Sequence, residues 1–154
     1  MMIYSYEEMK IMTKDFYNHL GLEMISDKFI NDAIASLTMP QYADIFGKNY
    51  KDIKIKDHRA LATLGDAVCG SLLLARKYNY DSTPKDLTFE KEKLTNENLN
   101  EKGKQLLKEN LFSANNDLDE KNTKSYATAF EAVIGFLSLV DLKFAKEVFE
   151  KYVN

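Results

Sequence analysis

Tryptophan is absent from this chain of 154 residues, which has one cysteine, two prolines and six glycines. So few turn-forming residues argue against the many short strands and tight turns of an all-β domain. Cys69, alone, has no partner for an internal disulfide, which suits a reducing compartment and sets the expectation of a cytoplasmic protein. No apolar run approaches the roughly 18 residues a spanning helix needs, so no membrane partner is expected. The first ten residues, MMIYSYEEMK, lack a basic segment followed by an apolar one, so no secretory leader is expected. Nor is there an excess of positive charge. The 21 Lys and Arg against 24 Asp and Glu leave a formal net charge of -3, which argues against an indiscriminate nucleic-acid binder.

What remains is a globular composition, 45% hydrophobic and 29% charged, without repeats or low-complexity blocks. A chain of this length buries roughly 68–70% of its unfolded surface, enough for one core, so residues 1–154 read as a single domain. Ser5-Tyr6-Glu7-Glu8 has the form of a capping box opening a helix that runs to about Leu20 and stops at Gly21. Ser26 is the expected cap of a second helix with Phe29, Ile30, Ala33, Ile34 and Leu37 at helical spacing, ending before Pro40. Residues 41–56 read as polar and irregular, and a long helix is expected over about 59–78. Thr83-Pro84 starts another, and Thr95 or Asn96 the next. Residues 113–122 read as a loop, Thr123 caps an apolar helix to about Val140, and Asp141 caps the last. No segment alternates with β-branched enrichment, so the fold class is all-α.

Two segments carry the chemistry: residues 61–75 (LATLGDAVCGSLLLA) and 127–140 (ATAFEAVIGFLSLV). Each is apolar almost all round, the pattern of a helix buried at a domain centre, and each holds one ionisable acid, Asp66 and Glu131. An unpaired buried carboxylate costs several kcal/mol, so each needs a partner. Helical offsets place Ala62, Cys69, Gly70 and Leu73 on the face of Asp66, and Ala127, Thr128 and Gly135 on the face of Glu131. Small residues on both faces let the helices approach and bring the carboxylates together. Two carboxylates that close need a shared proton or a cation, and Mg²⁺ suits one or two carboxylates with water completing its shell. Taken singly, each acid reads first as one held by a hydrogen bond from a neighbouring Lys, Tyr or helix N-terminus.

Between residues 48 and 59 the bases Lys48, Lys51, Lys54, Lys56 and Arg59 outnumber Asp52 and Asp57, a pattern shared by a solvated loop and a local binding surface. His19 and His58 show no zinc-ligand spacing, Cys69 reads as an inert thiol, and Tyr126 reads first as core. Gly65 and Gly70 form no phosphate loop.

Leu64-Gly65-Asp66-Ala67-Val68 resembles the signature helix of the ribonuclease III domain, and Ala129-Phe130-Glu131-Ala132-Val133-Ile134-Gly135 resembles that family's second acidic motif. Leu37-Thr38-Met39-Pro40-Gln41-Tyr42-Ala43 is similar to its LTHPSYA segment, and Leu94-Thr95-Asn96-Glu97-Asn98-Leu99 to its LVNNESL segment. The four matches stand in family order across about residues 20–140. The resemblance implies an all-helical, homodimeric endonuclease that cuts double-stranded or structured RNA with Mg²⁺, or Mn²⁺ in its place, leaving 5′-phosphate and 3′-hydroxyl ends. Asp66 and Glu131 inherit the catalytic, metal-binding carboxylate roles. Lys54, Lys56, His58 and Arg59, just ahead of the signature helix, are the candidate RNA contacts.

The departures are as specific as the matches. The full enzyme carries glutamates at the positions of Arg59 and Ala62, an aspartate at Thr128 and a histidine at Met39. The compact Mini-III branch, which acts on ribosomal RNA precursors without a double-stranded-RNA-binding domain, has Ala and Thr at the positions of Ala62 and Thr128. The stretch Tyr126 to Glu131 is close to its pattern, and no RNA-binding domain is expected here either. Unlike Mini-III, this chain has about 55 residues ahead of the signature helix. The expectation is a Mini-III-like nuclease. The alternative is a catalytically silent relative that binds RNA or associates with the ribosome, and a third reading is a dimeric interaction scaffold.

Overall fold

The computed structural model describes residues 2–92, 96–114, 117–118 and 125–153, all of whose regular elements are helices: α1 (Tyr6–Leu20), α2 (Ile30–Ser36), α3 (Pro40–Asn49), α4 (Arg59–Lys77), α5 (Pro84–Glu92), α6 (Asn96–Leu107), α7 (Ser125–Val140) and α8 (Leu142–Tyr152). No helix among the described residues is long and apolar enough to cross a membrane.

Local chemistry starts and stops several of these helices. Ser5 and Glu8 close the capping box of α1, and Gly21 ends it in the left-handed region at φ 114°. Thr83 Oγ1 accepts from the amide of Asp86, whose carboxylate accepts in return from the amide of Thr83, at the start of α5. Asp141 accepts from the amides of Lys143 and Phe144 to cap α8. Ser26 makes no such bond; it precedes a 3-10 turn over Asp27–Phe29, and α2 begins only at Ile30. The expected Thr95 and Thr123 caps lie outside the described residues.

The segment read as irregular from 41 onward is helical as far as Asn49. Pro40 takes the first helical position, and Tyr42 and Phe46 bury one face at i, i+4 spacing. Its start signal is remote. The carboxylate of Asp117 accepts from the amides of Gln41 at 2.8 Å, Tyr42 at 3.1 Å and Ala114 at 2.7 Å. Asn100 of α6 does the same for α7, accepting from the amides of Tyr126 and Ala127. Both helices are thus capped by side chains from elsewhere in the fold.

Helix α7 is the axis of the core, packed against α4, α6 and α8 and touching α2. Ala127, Ala129, Phe130, Ala132, Val133, Ile134, Phe136 and Leu137 are fully buried. Gly103 admits α6, because a side chain there would run into the backbone of Tyr126. Tyr17 of α1 stacks against Phe136 at 4.9 Å and hydrogen-bonds Ser36, whose hydroxyl donates to Ala33. Helix α4 differs from its expectation as a fully buried rod. Leu61, Ala62, Gly65, Cys69, Gly70 and Leu73 face the core, while Thr63, Leu64, Asp66 and Ala67 are exposed. It lies at the side of the bundle, and its apolar composition extends onto a face that the described residues leave exposed.

Candidate metal centre between two helices

Two glycines place the acids. A Cβ at Gly65 would collide with the carbonyl of Glu131, and a Cβ at Gly135 with the carbonyl of Leu61. Helices α4 and α7 therefore meet backbone to backbone, a turn apart on each, with no side chains between them. Asp66 follows Gly65 directly and Glu131 lies one turn before Gly135, so this contact sets the two carboxyl groups beside each other at its edge.

Their environments differ. Asp66 is exposed, whereas Glu131 is 8% exposed. Burial, followed by the hydrogen bond to Asp66 and then by its negative charge, raises the Glu131 carboxyl to about 8. At neutral pH Glu131 therefore keeps its proton. Cys69, a turn beyond Asp66 and fully buried, has its thiol pushed up by burial and then by the two acids, so it stays an unreactive thiol.

Ala62 is buried without a ligating atom, and Thr128 is half-buried one turn before Glu131. Among the described residues no group of three or more His, Cys, Asp or Glu side chains is placed to hold a metal. Two adjoining carboxyl oxygens still fit Mg²⁺, a hard cation that retains several waters. They do not fit a structural zinc site, which needs four nitrogen or sulfur ligands.

The basic run behaves unevenly. Lys54 and Lys56 are exposed. Arg59 is exposed too, but its guanidinium grips Asp57 through Nε at 3.0 Å and Nη2 at 2.8 Å. The hydrogen bond from Arg59 holds the Asp57 carboxyl below its ordinary range, and the fork consumes part of the charge Arg59 offers a phosphate. His58 is a correction. It is 2% exposed, its amide donates to the carbonyl of Thr38, and its own carbonyl accepts from Ala62 in the first turn of α4. Its ring is therefore closed off from RNA. Burial lowers it to about 4, the neutral form that an Nδ1 without a partner requires. His19, by contrast, lies exposed on α1 beside Asp15.

Asp117 and Asn100 escaped the sequence reading, because the amides they cap lie far along the chain and leave no local signature. No protein-family model, no curated protein and no solved structure matches the chain.

Proposed function

We propose that the chain is a Mg²⁺-dependent endoribonuclease of the ribonuclease III type, with a Mini-III-like domain that acts as a homodimer on double-stranded or structured RNA, such as ribosomal RNA precursor. The observation that carries this reading is the pairing of Asp66 and Glu131 at the edge of the glycine contact between α4 and α7. The pair would hold Mg²⁺ or Mn²⁺ through its carboxyl oxygens. When bound, such an ion supplies an activated water and stabilises charge on the scissile phosphate. Glu131 must release its proton to become a ligand, so its raised affinity for the proton makes binding stronger toward pH 8 and above. Asp66, exposed, faces the side from which RNA arrives. Lys54 and Lys56, exposed in the segment ahead of α4, would add backbone contacts.

The uncovered face of α4 supports the dimer. Leu64, 37% exposed beside Ala60, Thr63 and Ala67, offers a strip that no described residue covers.

The silent alternative draws on the same site. Among the described residues only two carboxylates converge, and Glu131 is protonated at neutral pH. Purified protein is therefore incubated with end-labelled duplex RNA and ribosomal RNA precursor, with Mg²⁺ or Mn²⁺, beside Asp66→Asn and Glu131→Gln. Cleavage by the parent that both variants lose, with folding intact, is the expected result. Unchanged cleavage in both variants overturns the assignment of the site. Duplex binding without cleavage under either metal favours the silent RNA-binding domain.

A further inference from the structure

Helix α5 packs along α4, and its Lys91 lies directly over Gly70. A Cβ on Gly70 would stand 3.1 Å from Lys91 Cε, 3.8 Å from Nζ and 3.9 Å from Cδ. The aliphatic stem of Lys91 thus occupies the space a side chain at residue 70 would fill, with the ammonium at the surface of α4. Gly70 is four residues beyond Asp66, on the same helix face, where side-chain origins stand about 5–6 Å apart. Lys91 is exposed, and no ion pair among the described residues holds its ammonium. A cation without an ion pair among the described residues thus sits over the turn of α4 that follows Asp66, although nothing in the spacing of residue 91 marks it.

We propose that Lys91, seated on Gly70, is the contact that receives an RNA phosphate beside Asp66 and Glu131. The inference rests on the nuclease reading above and adds to it the cation that orients the substrate backbone. With Arg59 engaged by Asp57 and His58 buried, Lys91 is the base that an observed contact seats on the helix of Asp66. A lysine ammonium binds phosphate as a point charge that tolerates small shifts of the backbone, as suits a duplex recognised by shape.

The test compares the full chain with Lys91→Met, Lys91→Arg and Gly70→Ala, reading cleavage of duplex RNA with Mg²⁺ and the salt dependence of duplex binding without metal. Lys91→Met is expected to lower cleavage about 10- to 100-fold and to reduce the slope of log affinity against log salt by about one unit, the signature of one lost phosphate contact. Lys91→Arg should restore most of both. Gly70→Ala keeps the charge but takes its seat, so it should lower cleavage with a smaller change in slope. A parent that cleaves, alongside Lys91→Met with unchanged rate and slope, overturns this inference and leaves the nuclease reading standing. A parent that binds but never cleaves overturns the nuclease reading, and the salt slope alone then decides whether Lys91 meets a phosphate. A parent that binds no duplex at low salt overturns both.

Discussion

Helix α7 has α2, α4, α6 and α8 around it, whereas α4 is covered on one side and open on the other. Composition hardly distinguishes them, since each is a small-residue apolar run around a single acid. The difference lies in neighbours, and it separates the acids. Glu131, on the enclosed helix, is the one that holds the proton, and Asp66, on the open helix, is the one that meets solvent. Two like residues at one contact differ in exposure, and burial is the main reason Glu131 holds its proton. For a metal site the consequence falls on Glu131, whose oxygens become ligands only when a cation or high pH displaces its proton.

The contact itself can be broken first. Gly65→Ala puts a methyl into the carbonyl of Glu131, a collision that only separation of α4 and α7 relieves. Overpacking of this kind costs about 3 kcal/mol or more when backbone must move. Denaturant titration should show the loss, together with loss of the coupling between Asp66 and Glu131.

Next comes the entrance to α4. His58 is buried neutral at about 4 against an ordinary 6.5, so its contribution is complete above 6.5 and is lost as the unfolded chain takes up a proton that the folded one refuses. Between pH 6.5 and 4 this should remove about 3 kcal/mol, at 1.36 kcal/mol for each pH unit between the two values. Stability measured by urea titration across that range in His58→Gln should lack this acid-side slope.

Glu131 acts with the opposite sign. Its folded value of about 8 exceeds the ordinary 4.5, so the stabilisation is present below 4.5 and is lost as pH rises through 8. In the parent the two slopes oppose each other between 4.5 and 6.5, and the Glu131 slope is left alone above 6.5. Glu131→Gln should remove that alkaline decline. In the parent, added Mg²⁺ should counter it if the site binds the ion, with proton release visible by calorimetry in weak buffer.

The smallest effect on folding is expected on the open side of α4. Leu64→Lys should change unfolding stability of the monomer by no more than about 0.5 kcal/mol, as exposed positions usually do. If that strip meets a second copy, the same change should convert a dimer to a monomer in sedimentation. Sedimentation of the parent as a monomer at micromolar concentration would remove the strip from the dimer reading.

The helical fold class, the capping of α1, α5 and α8, the stop at Gly21 and the two acids on small-residue faces were all legible in the chain. Each rests on residues within a turn or two of one another, where period and cap chemistry operate. Helix α3 was missed because its cap, Asp117, lies 75 residues beyond Tyr42. His58 was misplaced among the RNA contacts because a histidine in a basic run looks exposed until Thr38 and the first turn of α4 close over it. For α4 and α7 the residues specified two apolar helices and two acids. Which helix would be enclosed, and therefore which acid would keep its proton, was decided by tertiary packing, because desolvation depends on every neighbour that displaces water and no local stretch of sequence contains those neighbours.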